Sequence, residues 1–146
     1  MGMKTIKLFE LKKIQTEFPS VKITTPDQAA DFIRQFYFDD IDIFESFFIL
    51  LLNQANKTIG YAKISQGGIA GTVIDVRIIA KYAIESLAVS VILAHNHPSG
   101  NLKPSQADIN MTEKIKDGLK ILDINVFDHI ILTSDSFYSF ETDNIL

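Results

Sequence analysis

Two of the three histidines, His95 and His97, stand two positions apart, and a carboxylate, Asp108, follows after a short polar stretch. In extended backbone the side chains at i and i+2 point to one face, so both imidazoles can aim at a single point. Pro98, Gly100 and Pro104 interrupt the strand and force a tight loop. That loop returns the chain to a helix whose first turn carries Asp108. Two imidazoles and a carboxylate converging at the carboxyl end of a strand make a three-ligand site for a divalent metal.

Each of these residues also has a purely structural reading. Paired imidazoles can stabilise a turn by hydrogen bonding, although a His-x-His pair beside an acid favours a metal. Ser105-x-x-Asp108 at a helix start reads as a capping box, and on spacing alone that is the simpler account. Glu45 interrupts an apolar run. It either lies at the frayed start of a strand and reaches solvent, or it is buried and needs a partner at a metal centre. Asn96, Ser99 and Asn101 read as ordinary turn residues without chemistry. His129, on an apolar strand, reads as a satisfied core residue. Arg77 opens a helix where an acid is preferred, which points to a specific partner for it.

The elements that must position these residues follow from periodicity and punctuation. Residues 89–94 form an apolar run suited to a buried strand leading into His95, and residues 106–122 read as the helix after the loop. Thr25-Pro26-Asp27 is a helix start, with Thr as N-cap and Pro at the first position; the helix extends to about Phe38 with Ala29, Phe32, Ile33 and Phe36 on its apolar face. Residues 43–52 are apolar on both alternating faces, as expected of a central strand covered on both sides, with 47–52 as core. A turn at 53–57 leads to a second strand at 58–65. Gly67, Gly68 and Gly71 mark a loop before a short strand at 72–74. Residues 77–89 read as a helix burying Ile78, Ala80, Ile84, Leu87 and Ala88. Strands at 125–133 and 137–140 close the chain, and residues 5–14 read as an edge strand.

Composition narrows the classes. A chain of 146 residues supports one domain with a real core. Hydrophobic residues make up 47% and charged residues 22%, as in a globular protein. Eighteen acidic against 14 basic side chains give a net charge of −4, which argues against an extended nucleic-acid surface. No cysteine is present, so disulfides, thiolate catalysis and Cys-type zinc sites are excluded. The apolar run at 47–52 is too short to span a bilayer and the N-terminus has no apolar signal segment, so a cytoplasmic protein without membrane contact is expected.

The string His95-x-His97-Pro98, then Ser105-x-x-Asp108, with Glu45 upstream, resembles the JAMM (MPN+) metalloprotease motif. The longer string Ala94-His95-Asn96-His97-Pro98-Ser99-Gly100, the Pro104-Ser105 step and Asp128-His129-Ile130-Ile131 resemble the RadC branch, a bacterial JAB-like domain once linked by name to DNA repair. The resemblance spans about residues 25–141, preceded by an extension at 1–24. It implies an α/β fold of α-β-α type, a curved mixed sheet flanked by helices with JAB1/MPN and cytidine-deaminase-like architecture. It implies that His95, His97 and Asp108 hold one Zn2+ per chain with a water in the fourth position. Glu45 would then take a proton from that water and deliver it to the leaving amine, and Ser105 would hydrogen-bond the oxyanion. The implied reaction is hydrolysis of an amide, peptide or isopeptide bond.

Full-length members commonly carry an N-terminal helix-hairpin-helix module for DNA contacts, and too few residues precede Pro26 to hold one. The expectation is therefore the stand-alone catalytic domain acting on a peptide or isopeptide substrate. A DNA-repair-associated or nuclease-like protein acting on DNA is the first alternative, although HNH nucleases spread those residues over a ββα unit. A non-catalytic metal-binding interaction module is the second. A deaminase is disfavoured despite the fold kinship, because its Pro-Cys-x-x-Cys element needs cysteine.

Overall fold

The computed structural model describes residues 2–67 and 73–146. Among the described residues, five strands form one mixed sheet in the order β2-β1-β3-β4-β5: β1 (Ser46–Leu52), β2 (Thr58–Gln66), β3 (Ser90–Asn96), β4 (Asn125–Leu132) and β5 (Phe137–Ser139). β1 runs antiparallel to both β2 and β3, β3 and β4 are parallel, and β5 returns antiparallel along β4. The helices of the described residues cover the sheet: α1 (Pro26–Arg34), extended by a 3-10 turn at Gln35–Tyr37, then α2 (Val76–Glu85) and α3 (Gln106–Lys120). A parallel pair needs a crossover, and α3 supplies it between β3 and β4.

The two faces carry separate cores. Phe48, Leu50, Leu52, Ile92, Ala94, Ile130 and Leu132 pack with α1 and the 3-10 turn. Phe47, Ile49, Leu51, Val91, Leu93 and Val126 pack with α2 and α3. The apolar run 47–52 is buried throughout, as a strand sandwiched between helical layers must be. The result is the α-β-α arrangement that the residue pattern and the family resemblance predict, an α/β fold consistent with a JAB/MPN domain.

Local signals act as expected at α1. The Thr25 hydroxyl accepts the N–H of Gln28 at 3.3 Å, Pro26 occupies the first turn, and Ala29, Phe32, Ile33 and Phe36 are buried. At the other end of β1, the Asn53 side chain accepts from the N–H groups of Ala55 and Lys57 and shapes the hairpin turn into β2.

Four expectations are corrected. Residues 5–14 form no strand; Ile6, Leu8, Phe9 and Ile14 are exposed, and the first sheet-like contact is an isolated bridge from Lys22 to Lys57. β1 begins at Ser46, so Glu45 precedes the strand instead of lying within it. Gly68, Gly71 and Thr72 lie outside the described residues, and residues 73–75 lead into α2 without strand structure. The helix α2 ends at Glu85, and it buries Ile79 and Ala83, while Ile78, Ile84 and Leu87 face outward. The apolar pattern of α2 fits more than one face, and packing against α3 selects the one through Ile79.

Arg77 finds its partner locally: Asp75, the N-cap of α2, accepts the backbone N–H of Arg77 and binds its guanidinium at 2.9 Å. The helix ends in a Schellman motif, with the N–H groups of Leu87 and Ala88 bonded to the carbonyls of Ile84 and Ala83. Leu87 therefore occupies the left-handed region at φ 59°, where glycine is favoured. Leu87→Gly is expected to stabilise the protein by about 0.5–1 kcal/mol, whereas Ile79→Ala should cost about 2–4 kcal/mol by opening a cavity. Chemical denaturation of both variants checks this assignment of faces.

Candidate metal centre

The side chains singled out from the sequence meet where β3 ends. Alternation along β3 sends Val91, Leu93 and His95 to the α2/α3 face and Ile92 and Ala94 to the α1 face, as the core memberships require. His97 follows the strand and turns to the same side as His95, leaving their Nε2 atoms 3.0 Å apart. α3 starts beneath them. The Ser105 hydroxyl accepts the N–H of Asp108 at 3.0 Å, and the Asp108 carboxylate accepts the N–H of Ser105 at 2.8 Å, a complete capping box. The same carboxylate lies 3.3 Å from His95 Nε2 through Oδ1 and 3.3 Å from His97 Nε2 through Oδ2. The structural and chemical readings of Asp108 thus coexist.

Glu45 completes the group. Its Oε1 lies 3.9 Å from His95 Nε2, and the candidate ligand atoms of Glu45, His95, His97 and Asp108 all lie within 4.8 Å of one another. His95 is buried, at 1% side-chain exposure, whereas Glu45, His97 and Asp108 are 18%, 16% and 12% exposed. The cluster is anchored on its inner side and reachable from solvent on its outer side.

The protons on the imidazoles follow from their partners. His97 Nδ1 lies 2.5 Å from the carbonyl of Asn101, which can only accept, so Nδ1 carries the hydrogen and Nε2 of the neutral ring offers a lone pair. The Nε2 atoms of His95 and His97 and a carboxylate at these separations are stabilised by a cation among them, either a proton or a metal ion. The titration behaviour agrees. Burial opposes ionisation of Asp108, but hydrogen bonds to His95 and His97 outweigh it and hold the carboxyl well below the usual carboxylate range. Burial depresses His97, yet Asp108 and the Asn101 carbonyl raise it above its usual value. Ligand atoms bound to one tetrahedral zinc stand about 3.3 Å apart, close to the 3.0 and 3.3 Å separations here. The donor set of two imidazoles and a carboxylate, without sulfur, fits a divalent cation of zinc type.

Two residues given no chemistry by sequence reasoning belong to this site's framework. Asn96 is not a turn residue. It is the last residue of β3, fully buried, and on the α1 face its Oδ1 accepts the N–H of Ser46 at 2.8 Å. Its Nδ2 donates to the carbonyls of Ile41 and Phe44 at 2.6 and 2.8 Å. The groups on either side of Glu45 are therefore held by the residue between the two histidines. His129 is a buried core histidine, as its place on an apolar strand suggests, but it touches His95: its Nε2 lies 2.7 Å from His95 Nδ1. Burial pushes its imidazole well below the usual range and keeps it neutral. Apart from their places in the strings that resemble the RadC branch, Asn96 shows no sequence signal beyond lying inside His-x-His, and His129 none beyond being a polar residue on an apolar strand.

The fold and side-chain cluster define an α/β domain with a candidate metal centre at the carboxyl end of its central strand. Residues 23–145 match the RadC-like JAB domain, and the chain belongs to that family. A UPF0758 protein of Flavobacterium johnsoniae is 50% identical over 101 residues, covering 69% of this chain and 44% of the relative. A UPF0758 protein of Porphyromonas gingivalis is 40% identical over 103 residues, covering 70% and 45%. One from Neisseria meningitidis serogroup C is 38% identical over 121 residues, covering 83% and 53%. The chain spans about half the length of these relatives. Among the described residues no helix is long and apolar enough to cross a membrane.

Asn96→Ala leaves the Ser46 N–H buried without its acceptor and removes a donor from two carbonyls. It is expected to destabilise the protein by about 2–3 kcal/mol, read by urea denaturation. His97 has a raised pKa in the folded protein, so its contribution to the stability of the metal-free protein is complete below its ordinary value of 6.5 and lost as pH rises through the raised one. The melting-temperature difference between metal-free wild type and His97→Gln should accordingly shrink from mildly acidic to mildly alkaline pH.

Proposed function

We propose that the cluster holds one Zn2+ through His95, His97 and Asp108 and that the domain is a JAMM-type hydrolase of an amide, peptide or isopeptide bond. The observation that carries this reading is the 3.0 Å approach of two imidazole Nε2 atoms over the Asp108 carboxylate, an arrangement that a cation stabilises. Membership of the RadC-like JAB domain family supports it. When bound, the zinc supplies a Lewis acid that makes water nucleophilic near neutral pH.

The remaining tasks fall to the chain's own groups. Glu45 stands outside the tight triangle of His95, His97 and Asp108, with its carboxylate partly open to solvent. That position suits a base that takes a proton from water at Oε1 and returns it to the leaving amine. The Ser105 hydroxyl accepts from Asp108, which leaves its own hydrogen to donate to the oxygen of the attacked carbonyl. His95 and Asp108 are held from behind, by His129 and by the first turn of α3, so the site is set before substrate arrives.

Elemental analysis tests the metal. About one zinc per wild-type chain, lost in His97→Ala and Asp108→Ala, is the expected result, and retention of zinc by either variant overturns the ligand assignment. Acidification through the raised pKa of His97 should weaken binding, because a proton competes for the same nitrogen. Glu45→Gln should keep zinc and lower hydrolysis of a peptide or isopeptide panel by about 10²–10⁴-fold. Turnover of DNA with no amide cleavage would instead favour a nuclease, and zinc without any turnover an interaction module.

A further inference from the structure

Behind His95 lies a chain of polar groups that the proposed hydrolysis does not use. The Thr112 Oγ1 atom is 2.7 Å from the carbonyl of Asp108 and 2.6 Å from His129 Nδ1. His129 Nε2 is 2.7 Å from His95 Nδ1. Thr112 and His129 are buried, at 2% and 0% exposure, so water does not stand in for a missing partner. The direction of each bond is fixed by what its ends can do. A carbonyl oxygen only accepts, and the single hydroxyl hydrogen of Thr112 must therefore point at Asp108. That leaves the Thr112 oxygen as an acceptor, so His129 Nδ1 carries the hydrogen. The ring is fully buried and its two nitrogens meet Thr112 and His95, not a carboxylate, so it stays uncharged with a bare Nε2, which accepts the hydrogen of His95 Nδ1. His95 Nε2, on the far side of its ring, is left as a lone pair facing His97 and Asp108.

We propose that Thr112 and His129 are positioning residues that fix the tautomer of His95, so that its Nε2 is always free to bind the cation. The proposal rests on the metal-site reading above. The relay closes a ring, because it starts at the backbone of Asp108 and ends at a nitrogen 3.3 Å from the Asp108 carboxylate. One helical turn of α3 thereby sets both a ligand and the protonation of its neighbour. Packing holds the relay in plane: Phe140 stacks on the His129 ring at 4.5 Å and 18°, and Phe47 meets it edge-on at 5.6 Å while lying parallel to His95. The orientation of His129 depends on a β-bulge. Val91 pairs with Val126 but Ile92 pairs with Asp128, so Phe127 is an extra residue that shifts the alternation and turns His129 toward the α3 face.

The test combines a spectrum with zinc titration. Long-range 15N–1H correlation on metal-free wild-type protein should find the His129 proton on Nδ1 and none on Nε2; a proton on Nε2 overturns the relay. His129→Leu removes the acceptor for His95 and should weaken zinc binding by about 10–100-fold. His129→Gln, whose amide oxygen can accept from His95 Nδ1 while its N–H donates to Thr112, should recover most of that loss. Thr112→Val should weaken zinc and shift the His129 proton signal, and Thr112→Ser should restore both. Zinc affinity unchanged from wild type in His129→Leu and Thr112→Val overturns the proposal. Failure of wild-type protein to take up zinc overturns the metal reading instead, and the location of the His129 proton then judges the relay by itself.

Discussion

β3 is the central strand of the sheet, covered by helices on both faces, and yet it ends in two polar residues at 1% and 0% exposure, His95 and Asn96. A polar group so placed is tolerated only if its hydrogen-bonding capacity is met. Much of the site follows from meeting that demand on two faces at once. On the α1 face, Asn96 bonds to the backbone around Glu45 and so draws the chain before β1 against the end of β3. On the α3 face, His95 is satisfied through His129 and Thr112, which ties β4 and α3 to the same point. Residues from four separate stretches converge because one strand end must be satisfied where water is excluded.

The start of α3 shows how a structural device and a chemical one share atoms. A capping box satisfies free N–H groups at a helix start and contributes about 1 kcal/mol. Here the acid of that box, Asp108, also faces both imidazoles, and its carboxyl is held well below the usual range by them. The cap restrains the carboxylate rotamer that the cluster requires. The histidines in turn gain an anionic neighbour whose direction does not depend on a flexible side chain. On the neighbouring strand β4, Asp128 has a comparable role. It accepts from the N–H groups of His129 and Glu141 and from the Ser139 hydroxyl, and so fastens β5 beside the residue that backs His95.

Family membership and side-chain geometry speak to different links between sequence and function. The match over residues 23–145 defines the domain. The mutual distances of Glu45, His95, His97 and Asp108 define what that domain can hold. Three of these four side chains are partly exposed, so the group is open to solvent on one side.

Local chemistry in the sequence determined a good deal. Period-two spacing put His95 and His97 on one face, Ser105 and Asp108 matched a capping box, the run 47–52 was core, and Thr25-Pro26 opened a helix; all of these depend on neighbours within a turn or a strand, which the sequence displays directly. Tertiary structure alone decided the rest. The face of α2 that is buried depends on α3, so Ile79 and Ala83 were chosen over Ile78 and Ile84 by packing. The orientation of His129 depends on a bulge that exists only in the pairing of β4 with β3. Asn96 looked like a turn residue because its three partners lie some 50 positions away. Periodicity reports which way a side chain points within its own element, and it carries no record of which distant backbone or bulge will meet it there.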